Sequence, residues 1–267
     1  MNTGSSDLCV CITACGSPRY MEVAGLAVVS VLQNSDFEIF VGSDRSECPA
    51  WAVDPRVHFE TFRQEAAGDS PLFLRKFDTL EAALSKTNAS LYIQLDADAM
   101  FIVPVRADEV ATEIGDSDFA MVEQHTISGS NLGRRFFLDH YVGHTLKWFN
   151  HSGGAPAESD FRYYNSGLVM ARRDPLKGFL RWAIEARSTR PAHHTVGSHM
   201  IGDQDYFQYW TNSLHPGRCR DLDWYWNHCE HWDEHFPSTG AKVLHFSNFC
   251  RGPDEATVER MRTGLRA

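Results

Sequence analysis

The chain has 267 residues, of which 43% are hydrophobic and 12% aromatic, and its formal net charge is −10. This size and composition allow a large hydrophobic core without disulfides. The acidic balance argues against a protein that binds nucleic acid by neutralising phosphates. Seven cysteines are an odd number, which favours a reducing compartment. Since no stretch resembles a signal peptide or approaches the ~20 apolar residues of a membrane span, we expect a cytoplasmic protein.

The chain opens with the pattern of a Rossmann-like sheet. A buried strand at 8–13 is followed by an amphipathic helix at 20–33 and by strands at 37–41 and 57–62. Strand, helix and strand with short connections are typical of parallel α/β sheets. The first turn carries neither a G-x-G-x-x-G nor a Walker A sequence, so the usual markers of dehydrogenases and P-loop proteins are missing. Cys9, Cys11 and Cys15 are predicted to be small buried hydrophobes rather than zinc ligands.

The next helix carries two basic residues beside its apolar stripe. Ser70 and Pro71 predict its start, because a capping residue followed by proline is typical of a helix N-terminus. Arg75 and Lys76 lie off the stripe and could bind a diphosphate or form an ordinary solvated pair. The sequence leaves both possibilities open. The stripe itself consists of Phe73, Phe77, Leu80 and Leu84.

Two aspartates follow the most apolar strand of the chain. Residues 91–95 are almost all hydrophobic, as in a strand buried on both faces, and Asp96 and Asp98 come next. Side chains two apart in an extended segment point the same way, here at the edge where open α/β sheets bind ligands. Paired carboxylates in a partly dry cleft require a cation, and Mg²⁺ or Mn²⁺ prefers oxygen ligands. The pattern favours a metal site over a simple turn aspartate.

The middle of the chain alternates ordered and irregular stretches. A strand is predicted at 118–123, whereas 128–160 shows no clear period and is expected to be an irregular insertion on the acceptor side of a site. A strand-like run at 161–171 contains an Asn-Ser-Gly triplet, and its glycine indicates a bulge or a close backbone approach. Asp174 and Pro175 are predicted to cap a scaffold helix.

Polar residues are concentrated toward the chain end. Asp203 is predicted to cap a helix, and macrodipole stabilisation explains the acids of its first turn but not Gln204. The histidine-rich stretch 227–235 lacks metalloprotease spacing, so a polar loop is preferred to a second metal site. His245 lies in a late strand, where a lone histidine is usually a core residue. Residues 254–267 form a charged tail that is either a short helix or frayed.

Together these pieces resemble a GT-A glycosyltransferase, most closely the retaining family 8 group that includes glycogenin and the bacterial lipopolysaccharide galactosyltransferases. The resemblance implies an α/β GT-A fold, with a mixed, mostly parallel central sheet flanked by helices. It also implies a single catalytic domain over 1–267, with a nucleotide-sugar-binding half at about 8–125 and an acceptor-side half at about 126–253. The matching residues, in the family's order, are Leu95-Asp96-Ala97-Asp98, Asn165-Ser166-Gly167, Asp203-Gln204-Asp205 and Leu244-His245-Phe246.

The same resemblance assigns roles to individual residues. Asp96, Asp98 and His245 would bind Mn²⁺ or Mg²⁺, which would bridge the diphosphate of a nucleotide-sugar donor and stabilise it as the leaving group. Asp203 and Gln204 would line the donor sugar, with Gln204 stabilising or positioning the reacting centre. The sugar or acceptor would contact Asn165, Ser166 and Gly167. The remaining candidates for donor binding are Thr13, Ala14, Tyr20, Arg75, Lys76, Ala97 and Arg251.

The predicted activity is therefore metal-dependent transfer of a hexose, with retention, from a UDP-sugar by default to a small-molecule or carrier-bound acceptor. One departure concerns the leaving group: the family follows its late histidine with Gly and Lys-Pro-Trp, whereas here Phe246 follows and Arg251 is the candidate replacement for the lysine. Two alternatives remain. A sugar-phosphate nucleotidylyltransferase would need a basic, glycine-rich loop after the first strand, and 14–19 has one glycine and one arginine. A nucleotide-sugar-binding protein without turnover would keep the same motifs.

Overall fold

The computed structural model describes residues 7–62, 72–124, 133–190, 194–229, 238–247 and 252–266. Its strands are β1 (Leu8–Ala14), β2 (Glu38–Ser43), β3 (Val57–Thr61), β4 (Leu91–Leu95), β5 (Ala99–Phe101), β6 (Phe119–Glu123), β7 (Tyr164–Arg172), β8 (Thr195–Val196), β9 (His199–Met200), β10 (Cys219–Leu222), β11 (His228–Cys229) and β12 (Val243–His245). Seven of these form the main sheet, in the order β10-β6-β7-β4-β1-β2-β3. Every neighbouring pair in it is parallel except those that involve β7, so the predicted mixed, mostly parallel sheet is confirmed.

Helices cover both faces of this sheet. The helices of the described residues are α1 (Pro18–Asn34), α2 (Arg75–Lys86), α3 (Ala107–Ile114), α4 (Arg134–His140), α5 (Leu146–Trp148), α6 (Arg173–Ser188), α7 (Asp203–Tyr209) and α8 (Glu255–Gly264). A π-helical turn, Tyr141–Thr145, joins α4 to α5, and another, Trp210–Leu214, extends α7. Short 3₁₀ turns lie at Ala50–Val53, Leu72–Leu74 and Trp224–Trp226.

The strand β1 shows why the central strands are apolar at every position. Val10 and Ile12 pack into the core beneath α1, whereas Cys9 and Cys11 pack into the core beneath α2, α6 and α7. Successive side chains of a strand point to opposite faces, so a strand covered on both sides needs an uninterrupted apolar run. Cys9, Cys11 and Cys15 are buried and unbridged, as predicted from the sequence.

The strand β7 runs antiparallel to both of its neighbours, β4 and β6. Its pairing with β6 shifts register between Met121 and Val122, where the partner changes from Val169 to Asn165. The skipped residues on β7 form a bulge, which the glycine of the Asn-Ser-Gly triplet predicted. The bulge lies at the edge of the sheet where β4 ends, since Leu95 pairs with Leu168.

A second, three-stranded sheet lies beyond the end of β4. It has the order β11-β12-β5, with β12 parallel to β11 and antiparallel to β5. The capped helix α8 covers it, because Val258 and Met261 share the core with Met100 and Phe246. The late segments that contain β11–β12 and α8 are thereby attached to β5, which follows the turn after β4.

Several predicted boundaries are wrong. The part of 128–160 predicted to be irregular contains α4, the π turn and α5, and the extra residue of a π turn interrupts the 3.6-residue period that would have revealed the helix. The cap of α7 is Gly202, so Asp203 is the first helical residue. The helix α2 begins at Arg75, and Ser70 and Pro71 lie outside the described residues.

Two further differences concern α6 and the histidine-rich stretch. The N-cap of α6 is Arg172, so Asp174 and Pro175 lie within its first turn, where a proline is tolerated because the missing N–H has no helical partner there. In the stretch predicted as a polar loop, residues 228 and 229 form β11, and 230–235 lie outside the described residues. Among the helices of the described residues, none is long and apolar enough to cross a membrane.

Candidate active site

The aspartate pair lies in the tight turn between β4 and β5. The backbone N–H of Ala99 donates to the carbonyl of Asp96 at 3.0 Å, which closes the turn, and the N–H of Asp96 donates to the carbonyl of Gly167 at 2.9 Å. The sequence predicted an extended segment here, and that prediction is wrong. The segment is a turn, and the turn itself brings the two carboxylates together. The side chain of Ala97 packs into the core instead.

His245 completes a set of three possible metal ligands. It pairs with Ala99 across the β12–β5 ladder. Its Nε2 lies 3.7 Å from an oxygen of Asp96 and 3.4 Å from an oxygen of Asp98. One donor atom from each of these three residues lies within 4.8 Å of the other two. A single divalent cation placed among them would be within reach of all three.

A buried asparagine fixes the orientation of the imidazole. The Nδ1 of His245 lies 3.1 Å from the amide oxygen of Asn227, whose own NH₂ donates to the amide oxygen of Asn165 at 2.7 Å. An amide oxygen only accepts, so Nδ1 carries the proton and Nε2 faces the carboxylates. Asn227 was not among the sequence candidates; its position beside a histidine-rich stretch was the available signal. Such a partner is what a metal-binding histidine needs.

His245 and Asp98 shift each other's pKa in opposite directions. Burial lowers the pKa of His245, but the interactions with Cys229 and Asp98 more than offset this and raise the pKa well above its usual value. Burial raises the pKa of Asp98, and the neighbouring imidazole outweighs that effect and lowers it. Both shifts favour a positive charge on the imidazole beside a negative charge on Asp98.

Lys76 joins the turn that carries Asp96 and Asp98 to α7. Its Nζ lies 2.5 Å from an oxygen of Asp96 and 2.8 Å from an oxygen of Asp203, and its side chain is only 13% exposed. Burial lowers the pKa of this ammonium, yet the two carboxylates hold it above its ordinary value. Of the two basic residues on α2, Lys76 is thus drawn into the site, whereas Arg75 pairs with Asp78 at 3.0 Å.

The bulge of β7 and the first turn of α7 contact each other next to this pair. The backbone N–H of Ser166 donates to the side-chain oxygen of Gln204 at 3.3 Å, and the amide nitrogen of Gln204 donates to Gln124 at 3.1 Å. A side chain at position 167 would overlap the His245 ring, which explains the glycine there. The structure therefore brings 165–167, 203–204 and the three ligands into one cluster.

The C-terminal ends of β1 and β2 form the other part of this sheet edge. Thr13 donates to Thr79 at 2.8 Å, Ala14 is buried, and Tyr20 lies beside Gly252. Asp44, which the sequence reading overlooked, accepts from the N–H of Gly16 at 2.9 Å through one oxygen.

The second carboxylate oxygen of Asp44 is buried and has no hydrogen-bond partner among the described residues. A polar residue just after a parallel strand was the signal for it. Gln94 was also overlooked, although its amide nitrogen donates to Asp96 at 2.8 Å. Arg251 lies outside the described residues, so its predicted phosphate contact stays a prediction.

Comparison with solved structures gives proteins of similar fold. No protein-family description and no curated protein matches the chain. The galactosyltransferase LgtC, solved in complex with donor and acceptor sugar analogs, is 14% identical with a TM-score of 0.59 over 97% of this chain and 95% of LgtC. An active-site mutant of LgtC in which glutamate replaces a glutamine gives the same TM-score, 0.59, at 13% identity and the same coverage, 97% and 95%.

Two other structures of similar fold are a mouse enzyme and a bifunctional glycosyltransferase. Mouse xyloside xylosyltransferase 1 is 14% identical with a TM-score of 0.52, over 92% of this chain and 98% of that one. The bifunctional glycosyltransferase WbbM is 11% identical with a TM-score of 0.57 over 93% of this chain, which spans about half (47%) of WbbM. These likenesses confirm the GT-A fold expected from the sequence.

Proposed function

We propose that this protein is a glycosyltransferase that transfers a hexose from a nucleoside-diphosphate sugar to an acceptor and depends on a divalent cation. The observation that carries the proposal is the convergence of Asp96, Asp98 and the Nε2 of His245, whose donor atoms lie within 4.8 Å of one another. The fold shared with LgtC, whose structure holds donor and acceptor sugar analogs, supports it. The likeness to LgtC gives no support to the alternative that the protein is a sugar-phosphate nucleotidylyltransferase.

The donor set fits Mn²⁺ or Mg²⁺. Two carboxylates and one imidazole satisfy part of an octahedral shell and leave positions for phosphate oxygens and water. The hydrogen bond from His245 to Asn227 provides the support that metal-binding histidines have. When bound, the cation would neutralise charge on the departing diphosphate. Asp96, Asp98 and His245 would hold it at the edge of the sheet.

Gln204 and Asp203, which lie next to the proposed metal site, suit the positive charge that develops on the donor sugar. Breaking the anomeric C–O bond builds positive charge on the sugar, which acidic or uncharged oxygens stabilise. Gln204 offers an amide oxygen, and Asp203 is held by Lys76 at 2.8 Å rather than free to attack. We therefore assign Gln204 to stabilising or positioning the donor sugar and Lys76 to fixing both Asp96 and Asp203. An active-site glutamine in LgtC supports this assignment.

The nucleoside end would lie beyond β1 and β2. Thr13, Ala14 and Tyr20 frame that part of the edge, and the buried, unpartnered oxygen of Asp44 offers an acceptor for a ribose hydroxyl or a base N–H. A UDP-sugar is the first donor to test. The motif resemblance to retaining family 8 enzymes supports retention, and the acceptor is a small or carrier-bound molecule.

The test is nucleotide-sugar turnover with and without metal. A panel of UDP-sugars is incubated with the protein and Mn²⁺, and release of UDP is measured. We expect slow hydrolysis that a chelator abolishes and that Asp98→Ala removes. The matched control is Asp108→Ala, since this aspartate is 66% exposed on α3. Unchanged turnover in Asp98→Ala would exclude the assigned metal site, whereas metal-dependent UDP binding without hydrolysis or transfer would indicate a binding protein.

A further inference from the structure

A second group of possible metal ligands lies away from the aspartate turn. His140 at the end of α4, His199 in β9 and Asp205 in α7 each offer one donor atom, and these atoms lie within 4.8 Å of one another. The rings of His140 and His199 are 4.5 Å apart between centroids. The Nε2 of His199 is 3.4 Å from a carboxylate oxygen of Asp205.

The carboxylate of this group is built into the fold. Asp205 is 4% exposed, and its Oδ1 accepts from the hydroxyl of Thr145 at 2.5 Å. Its Oδ2 accepts from the backbone N–H of Gly202 at 2.9 Å. Hydrogen bonds that orient a carboxylate in this way are the usual outer support of a metal ligand. The histidines, by contrast, are partly exposed, so an ion could reach them from solvent.

We propose that His140, His199 and Asp205 bind Zn²⁺. Two imidazole nitrogens and one carboxylate oxygen are ligands that zinc accepts, with water in the fourth position. The donor set is softer than the two carboxylates and one imidazole at Asp96, which suit Mn²⁺ or Mg²⁺ better. The bound ion would join α4, the β8–β9 hairpin and the first turn of α7. It would thereby fix the hairpin next to the segment that carries Gln204.

The test separates this site from the one at Asp96 by using the Asp98→Asn protein throughout. After dialysis against a chelator, the protein is titrated with Zn²⁺ by calorimetry and with Co²⁺ by visible absorption. We expect one saturable site per chain from the histidine cluster and the intense absorption of low-coordinate Co²⁺. Adding His140→Gln or His199→Gln removes a proposed ligand and should weaken Zn²⁺ binding by at least ~10-fold. Even the loss of a residue that only orients a ligand weakens metal sites by about 10- to 100-fold.

The matched control is His58→Gln, since His58 is an exposed histidine on β3 far along the sheet. It should leave Zn²⁺ affinity and the Co²⁺ spectrum unchanged. Residual binding at Asp96 and His245 would be insensitive to His199→Gln and is thus distinguished. The proposal is overturned if the Asp98→Asn protein shows no saturable Zn²⁺ site, or if its affinity is the same in His199→Gln, which alters only a partly exposed hairpin.

Discussion

Lys76 is the residue on which the charge balance of the site depends. One ammonium serves two carboxylates, Asp96 at 2.5 Å and Asp203 at 2.8 Å, and all three side chains are mostly buried. Removing one partner of a buried ion pair leaves an uncompensated charge, which costs more than the pair contributes. The site is therefore sensitive to this lysine even before any ligand binds.

We expect Lys76→Met to lower the free energy of unfolding by about 3 kcal/mol at neutral pH. Without the ammonium, burial and Asp96 raise the pKa of Asp203 further. A carboxyl group whose folded-state pKa is raised favours folding when protonated, so the deficit should narrow as the pH falls toward about 4. Urea unfolding at pH 7 and pH 4, without metal, measures both effects.

Lys86→Met is the control on the same helix. Lys86 also pairs with an acid, Glu60 at 2.7 Å, but its side chain is 55% exposed. An exposed pair contributes under about 1 kcal/mol, so this change should be small at both pH values. Equal losses in the two variants would show that Lys76 is not a buried compensating charge.

At the scale of elements, the bulge in β7 controls how closely β12 approaches the sheet. A Cβ at position 167 would overlap the imidazole of His245 and lie 2.8 Å from the side-chain oxygen of Asn165. Both neighbours are held in place, His245 by Asn227 and Asn165 by the N–H of Gly167 itself. β7 and the ring of His245 therefore fit together only with glycine at position 167.

We expect Gly167→Ala to destabilise the protein by about 1–3 kcal/mol, the usual cost of overpacking. It should also weaken Mn²⁺ binding by about 10- to 100-fold, because the ring of His245 must turn away from the carboxylates. Gly178→Ala is the control, since a Cβ there meets no described heavy atom within 4 Å. This change lies in α6 and should stabilise the protein by about 0.5–1 kcal/mol. Unaltered Mn²⁺ affinity in Gly167→Ala would contradict the close approach.

For the whole molecule, a cation at the site would join the two sheets. Asp96 and Asp98 follow the central strand β4, whereas His245 belongs to the small sheet that β11, β12 and β5 form. Binding to the folded state alone suppresses local opening of every segment that supplies a ligand. The small sheet consists of short strands, and β11 and β12 come from late segments of the chain. We therefore expect it to gain the most protection against local opening.

Hydrogen exchange measures this coupling. We expect Mn²⁺ to slow exchange of two backbone amides. The N–H of Phe246 donates to the backbone carbonyl of Asp98 at 2.8 Å, and the N–H of Ile102 donates to the backbone carbonyl of Lys242 at 3.0 Å. Amides between β2 and β3, at the far edge of the main sheet, should change little. Asp98→Ala should remove the effect of Mn²⁺. Uniform slowing over both sheets would instead indicate a general effect on stability.

Much of the fold could be predicted because its signals are local. The unbroken apolar runs of β1 and β4 predict central strands, and the Asn-Ser-Gly triplet predicts the bulge. The aspartate pair and His245 were predicted to be partners only through resemblance to a family. No local pattern shows that β12 pairs with β5, because that pairing depends on the fold of the whole chain.

The remainder could not be predicted for physical reasons. The π turn after α4 disrupts helical periodicity, so 134–148 was expected to be irregular. Arg75 and Lys76 are equivalent by spacing, and only tertiary contacts separate the lysine in the site from the arginine paired with Asp78. Asn227 and Asp44 act through contacts with His245 and Gly16, which lie far from them in the sequence.

The single reversed strand has a consequence for how this chain can be made. β7 is the only link between β4 and β6, so in the described sheet β6 and β10 attach to the rest solely through it. A nascent chain that ends before residue 164 holds β4 with one unpaired edge and β6 without a neighbour. Such edges invite association with other chains. The described main sheet can therefore close only after β7 has been made, because β7 alone joins β6 and β10 to β4.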